Sequence, residues 1–598
     1  MAPDKMLVGR QALSGACGTL ETQMAEANAF GRAVRAQAAR SGPGPLRRFM
    51  LARMAGLAYP GTKAEQLLLA PQELRTADPS FATELYNGHF GLAGRLAELG
   101  ARSPFAIEPP SEAWSQELYG FGWLRHLRAA GSELSREQAK ALVRDFVKLH
   151  RSINGVAWQP EIVARRVISW RSNSVLVLDT GDPKTYDAFL RTLTDQLRYL
   201  SASYRDTPDG VPRLVTLMAL LYAGLCIAEQ QAVVDRYVKP FCKELDRQIL
   251  PDGGHISRNP TALIEILLDL LPLRQCFVAR DRPAPKALSD AIDRAMPMLR
   301  FFRMGDGTLA RFNGSGATPT DSLATVLAYD DVEGSPLRAA PNSGYLRLER
   351  GSTVVICDVE KAPPSAVSRS AHAGCLSFEM SSNGIPIVVN CGAPGADHDD
   401  WLAFARSTPA HSTATLEDAS SAEFSGARGT LAGPPHVNCN AGEEQGALLL
   451  NASHDGYVSR FGVTHARQIF VGPDGDIVSG EDRLAAPRAL RGDASVSGGA
   501  YAVRFHLHPN VTAQPSPDGQ SVLLFLRGGA WRFTANAPEI ALEESVYLAD
   551  ERGPRQSTQI VLSGIMGEDK ELRLAWSIER VAESGIPDVS PDDDGDAA

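Results

Sequence analysis

The chain has no apolar run long enough to cross a bilayer: its longest, Leu217 to Ala228, has twelve residues, against the roughly 20 that a spanning helix needs. It also has no basic excess. With 60 Lys and Arg against 70 Asp and Glu the net charge is -10, which argues against a general affinity for nucleic acid or an anionic membrane. A cleft lined by a few arginines still suits an acidic substrate. The N-terminus lacks the apolar stretch and small-residue cleavage site of a secretory signal, so cytoplasmic residence is expected, with the periplasm as the alternative. No CxxC pair occurs among the eight cysteines. Several lie in apolar segments such as TVVICDV, and they read as buried thiols of a reducing compartment.

Over 598 residues, 44% of them hydrophobic, the chain can bury a large core and divide into two or more domains. Two periodicities divide it. In residues 46–315 apolar residues recur at helical spacing: Val233, Val234, Tyr237, Val238, Phe241, Leu245 and Ile249 form one stripe, with Pro240 a kink or helix start, and Leu214, Leu217, Met218, Leu221 and Leu225 form another. Each stripe needs a neighbour to bury it, so a toroid of helical hairpins is expected. In residues 316–585 short apolar runs flank tight turns, as in YLRLERGSTVVICDV and SVLLFLRGGAWRFTA, and predict a large antiparallel β-sandwich. The fold class is therefore multidomain α+β. Residues 1–45 form a separate N-terminal segment, and residues 586–598 an acidic, disordered tail.

Three polar clusters stand out. Asp252-Gly253-Gly254-His255-Ile256-Ser257-Arg258-Asn259-Pro260 lies between two apolar helices and can present His255, Arg258 and Asn259 to a cleft. The plainer reading is a cap, with Asn259 or Ser257 closing the next helix and Pro260 at its first position. His372 and His411 can meet across strands as metal ligands, although zinc normally needs a third. His506 and His508 share a strand face and read as packed side chains. No Walker loop, GxGxxG, GxSxG or HExxH occurs in a suitable context.

The ordered series AHAGCLSFEMSSNGIPIVVNCG, RSTPAHST, VSRFGVTHARQIFVGPDGDIVSGEDRL, RFHLHPNV and AWRFTA resembles the C-terminal domain of the bacterial heparinase II/III family. PDGGHISRNP, preceded by RRVISW and PRLVTLMALLYAGLCI, looks like that family's helical half. The resemblance implies a polysaccharide lyase that cuts uronate chains by β-elimination, with an acidic polysaccharide as partner. That chemistry needs neutralisation of the uronate carboxylate, a base and an acid. His255 fits the base, and Arg258 with Asn259 fits the carboxylate clamp. Arg166, Trp170, Arg213 and Arg406 are the expected substrate contacts, and Tyr329 or Tyr345 the acid. No cofactor is required, but the resemblance allows a structural zinc on His372, Asn390 and His411.

Several positions depart from the family pattern. Val211-Pro212-Arg213 stands where many family lyases have Asn-His, and Thr261-Ala262-Leu263 where Tyr-His is usual. Ser370, Gly374 and Asn390 replace a histidine and two aspartates. The alternative expectation is a lapsed enzyme that binds polysaccharide in cell-surface glycan assembly or export.

Overall fold

The computed structural model describes residues 58–582 apart from 101, 151–152, 179–182, 331–335, 426–428, 488–498 and 568–570. The expected N-terminal segment and acidic tail lie outside the described residues.

The Val211–Cys226 helix is the hub of the helical toroid. Every residue from Leu214 to Cys226 is buried, so it is apolar on all sides and needs cover on all sides. The Pro160–Ser172, Gln231–Gln248 and Thr261–Ala279 helices supply it. Pro240 sits inside the Gln231–Gln248 helix. One more helix, Thr320–Leu327, follows residue 315, and the first strand of the sandwich begins at Ala339.

The sandwich is antiparallel throughout. Its eight-stranded sheet runs from Val437–Glu444 through Ala447–His454, Thr464–Val471, Ile477–Ala485, Glu571–Val581, Gly529–Ala535 and Ser521–Leu526 to Thr512–Pro515. The nine-stranded sheet runs from Ile540–Tyr547 through Arg555–Ile565, Ala500–Leu507, Ile385–Val389, Phe378–Ser382, Thr353–Asp358 and Tyr345–Arg350 to Ala339–Ala340, and Ala414–Leu416 pairs with Ala500–Leu507.

Strand Thr353–Asp358 shows how the layers join. All of its residues are buried, because successive side chains enter different cores. Val354 and Ile356 join the helical core, whereas Val355 and Cys357 join the core between the sheets. The nine-stranded sheet is thus the middle layer, and the junction with the helices passes beside the Asp252–Pro260 turn.

Candidate functional site

The turn after the Gln231–Gln248 helix is built for close approach. Gly253 has φ +93°, and a Cβ there would lie 1.9 Å from the Arg294 carbonyl oxygen. A Cβ on Gly254 would lie 1.9 Å from Ser343 Oγ. Asp252 fastens this turn to the sandwich: its Oδ2 accepts from Asn342 N at 2.8 Å and Ser343 N at 2.7 Å, and its Oδ1 accepts from Ser343 Oγ at 2.6 Å.

His255 is buried, with both ring nitrogens engaged. Ser257 N donates to Nδ1 at 3.2 Å, which assigns Nδ1 as acceptor and leaves Nε2–H to donate to Gln248 Oε1 at 3.0 Å. The Ser257 hydroxyl also lies 2.7 Å from Nδ1. Burial, reinforced by the nearby Arg247 charge and opposed by Asp209, pushes the imidazole down to about 3. It is neutral, but its lone pair already has partners.

Arg258, at φ +62°, is a clamp between domains. Nε donates to Ser343 O at 2.8 Å, Nη1 to Glu360 O at 3.2 Å and Lys361 O at 2.8 Å, and Nη2 to Gly344 O at 3.0 Å and Asp358 Oδ1 at 2.5 Å. A guanidinium has five N–H groups, so none is left for a uronate carboxylate. The aromatic face of Tyr345 lies 4.8 Å below it. Asn259 Oδ1 accepts from Thr261 N at 2.9 Å and caps the Thr261–Ala279 helix.

The expected substrate contacts scatter. Arg166 is fully buried, donating to Gln196 Oε1 at 2.7 Å, Tyr119 O at 2.8 Å and Ala157 O at 2.9 Å. Trp170 is equally buried and stacks on Phe189 at 4.8 Å. Neither touches a surface, because the Pro160–Ser172 helix is covered on nearly all sides. Arg406 is buried among the carbonyls of Ala371, Ser368 and Gly429, where desolvation holds it down at about 10. Arg213 alone of the four is half-exposed, with Nη2 donating to Thr207 O at 3.1 Å and Nη1 3.7 Å from Asp209 Oδ1. Arg247 also binds Asp209, together with Glu244.

Neither tyrosine is placed as an acid. Tyr345 OH is buried, donating to Arg258 O at 2.6 Å and accepting from Asn313 Nδ2 at 2.7 Å. Tyr329 OH donates to Gln72 Oε1 at 3.1 Å.

His372 and His411 do meet, as Nδ1 and Nε2 at 3.1 Å. His411 Nδ1–H donates to Ser407 O at 2.8 Å, so its Nε2 accepts from His372. Burial lowers both imidazoles. His372 Nε2 is buried without a partner among the described residues, and the His372 side chain helps line a cavity of about 10 Å³, room for about one water. The residues present do not make a zinc site. Asn390 Oδ1 accepts from Ser412 N at 3.0 Å and its Nδ2 donates to Arg311 O at 3.4 Å, so the expected third ligand is an engaged amide. Among the described residues no three His, Cys, Asp or Glu side chains gather in metal-binding geometry. Gly374 lies against His411, where a Cβ would come within 2.7 Å of Cδ2.

Two carboxylates escaped the sequence reading. Asp358 pairs with Arg258, and its one signal is a lone charge ending the apolar run TVVICD. Glu161 opens the Pro160–Ser172 helix, which reads as an ordinary first-turn acid. Burial raises its carboxyl against its own backbone N–H and the charge of Arg369 from the sandwich, and its Oε2 is unpartnered among the described residues.

Residues 332–577 match the model of the heparinase II/III-like C-terminal domain. Over 538 residues, 87% of this chain and 91% of the relative, the sequence is 32% identical to FtsZ-localized protein C of Caulobacter vibrioides. The chain belongs to the heparinase II/III family. A crystal structure of heparinase III superposes with a TM-score of 0.67 at 16% identity, covering 90% of this chain and 89% of that one. Heparan sulfate lyase HepC from Pedobacter heparinus does so with a TM-score of 0.57 at 15% identity, covering 89% and 87%. At these identities the heparinases establish a shared fold, a toroid on a sandwich. Within this heparinase fold, the His255 and Arg258 cluster serves the junction between the layers.

Proposed function

We propose that this heparinase-family chain is a non-cleaving protein of the cell-division apparatus, placed with FtsZ in the cytoplasm, that uses the polysaccharide-lyase fold to hold an acidic glycan. The commitment of Arg258 carries the reading: a guanidinium with five internal acceptors cannot also neutralise a uronate. The relative named for its location with FtsZ supports the placement, since the likeness runs through both domains. Half-exposed Arg213 and exposed Arg369 are the cations proposed to meet the glycan.

Two measurements test this. A fluorescent fusion is expected to follow FtsZ to midcell, and a diffuse signal would overturn the placement. Purified protein with heparan sulfate, hyaluronan, chondroitin sulfate, alginate and glucuronan is expected to give calorimetric binding to at least one and no rise in the ultraviolet absorbance of unsaturated uronate. A rise would establish the second reading, a lyase. Glu161 favours that reading, because a raised carboxyl with one oxygen unpartnered among the described residues suits a general acid.

A further inference from the structure

Arg171 is an anomaly in the helical core. It is 1% exposed, and among the described residues its Nε, Nη1 and Nη2 have no carbonyl or carboxylate partner. Arg166, earlier in the same helix, has three acceptors, and Arg258 has a carboxylate. A buried guanidinium with neither is strongly disfavoured, because its desolvation is uncompensated. What lies beside Arg171 is Cys226, whose Sγ is 3.8 Å from Cys276 Sγ. Both thiols are buried.

We propose that Cys226 and Cys276 are a reversible dithiol–disulfide pair, with Arg171 as the counter-ion of the Cys226 thiolate and a hydroperoxide as oxidant. The Cys226 thiolate attacks one peroxide oxygen, giving a sulfenic acid and releasing hydroxide. Cys276 then attacks that sulfur, the S–S bond forms, and the sulfenic oxygen leaves as water with the Cys276 proton. Two thiols and one hydrogen peroxide give one disulfide and two waters, and a dithiol reductant reverses the change.

The electrostatics agree. Burial pushes the Cys226 thiol up, but the hydrogen bond with Cys276 and the charge and hydrogen bond of Arg171 outweigh it and bring it down, while Cys276 is driven up by the same Cys226–Cys276 hydrogen bond and by burial. The sulfurs need to close by roughly 1.8 Å to reach bonding distance near 2.0 Å, within reach of side-chain rotation. Access requires local opening. Cys226 ends its helix beneath a strap of residues 61–70, which is tied there by Leu68 N to Cys226 O at 2.8 Å and Ala228 N to Gln66 O at 2.9 Å. The strap is also held by Ala64 N to Thr194 Oγ1 at 3.0 Å and Gln230 Nε2 to Thr62 O at 3.1 Å, and on this proposal a small oxidant enters when it opens locally. The disulfide would staple the Val211–Cys226 helix to Thr261–Ala279, the helices that begin beside Arg213 and Asn259.

The test treats the full native chain with hydrogen peroxide, alkylates it and digests it without reductant. A peptide linking Cys226 to Cys276, lost on adding dithiothreitol, is expected. Cys276→Ser should leave a sulfenic acid on Cys226 that dimedone traps. Arg171→Met should slow oxidation about ten-fold, the loss expected if the thiolate fraction falls by that factor, and Arg171→Lys should recover part of the rate. Should Arg171→Met not fold, dimedone labelling of Cys276→Ser decides. Full alkylation of Cys226 and Cys276 after peroxide, or oxidation confined to exposed Cys439, would overturn the proposal.

Discussion

Arg258 Nη2 meets Asp358 Oδ1 at 2.5 Å, joining a turn of the toroid to the end of a sandwich strand. Asn313 Nδ2 closes the other carboxylate oxygen at 3.1 Å. A charged residue that pattern alone would send to a substrate instead holds two domains in register.

Replacing Arg258 by Ala is therefore expected to cost about 3–5 kcal/mol, the scale for orphaning one member of a buried pair. Lysine at 258 should recover little, because it lacks the planar fork. Arg213→Ala, at a half-exposed site, should cost under about 1 kcal/mol. Urea denaturation of the three variants checks the order.

Gly254→Ala should destabilise by about 1–3 kcal/mol, since the new methyl would overlap Ser343 Oγ. Ser343→Gly in the same chain should return part of that loss, although it removes the hydroxyl hydrogen bond to Asp252. A double-mutant cycle with no coupling would refute direct contact.

Acid should weaken the fold before carboxylates titrate. His255 and His506 are held down at about 3, and His411 at about 4, by burial. The unfolded chain binds their protons near 6.5 and the folded chain does not, so stability falls as pH drops from about 6.5 toward 4, by up to about 1.4 kcal/mol per pH unit for each such group. Asp482, held well below the usual carboxylate range by Arg467 and His465 against its own burial, adds its loss below about 4. Glu379, raised by burial, acts in the opposite direction. His255→Gln should flatten the slope between pH 6.5 and 4 by up to about one proton, measured by denaturant titration across pH.

Zinc and a chelator are each expected to leave the melting temperature unchanged. Asn390→Asp should lose about 1–2 kcal/mol at neutral pH, because a carboxylate would then face Arg311 O, which now accepts from the amide. Recovery of that variant by zinc would show that the histidine pair still makes a metal site.

Local chemistry was the legible part. Hairpins such as Tyr345–Arg350 with Thr353–Asp358 announce themselves through a glycine turn between apolar runs, and the Asn259 cap lies within two residues of the N–H it serves. Partners far along the chain were not legible. Arg258 and Asp358 are 100 residues apart, and no local pattern links them. Arg166 and Trp170 misled for another reason: ten of the thirteen residues in their helix are buried, so the helix has hardly a wet face to project them from. The His372 and His411 encounter was expected across strands but is made between loop residues, and the amide at 390, with both ends engaged, decides what that pair can hold.

The position of the last strand bears on how the protein is made. Glu571–Val581 lies inside its sheet, between Ile477–Ala485 and Gly529–Ala535. Until the ribosome delivers it, the sheet exists as two separate four-stranded and three-stranded pieces, each with an open edge. The eight-stranded sheet is therefore sealed only once residues 571–581 have been made, and a chain ending before residue 571 would keep both edges open to other chains.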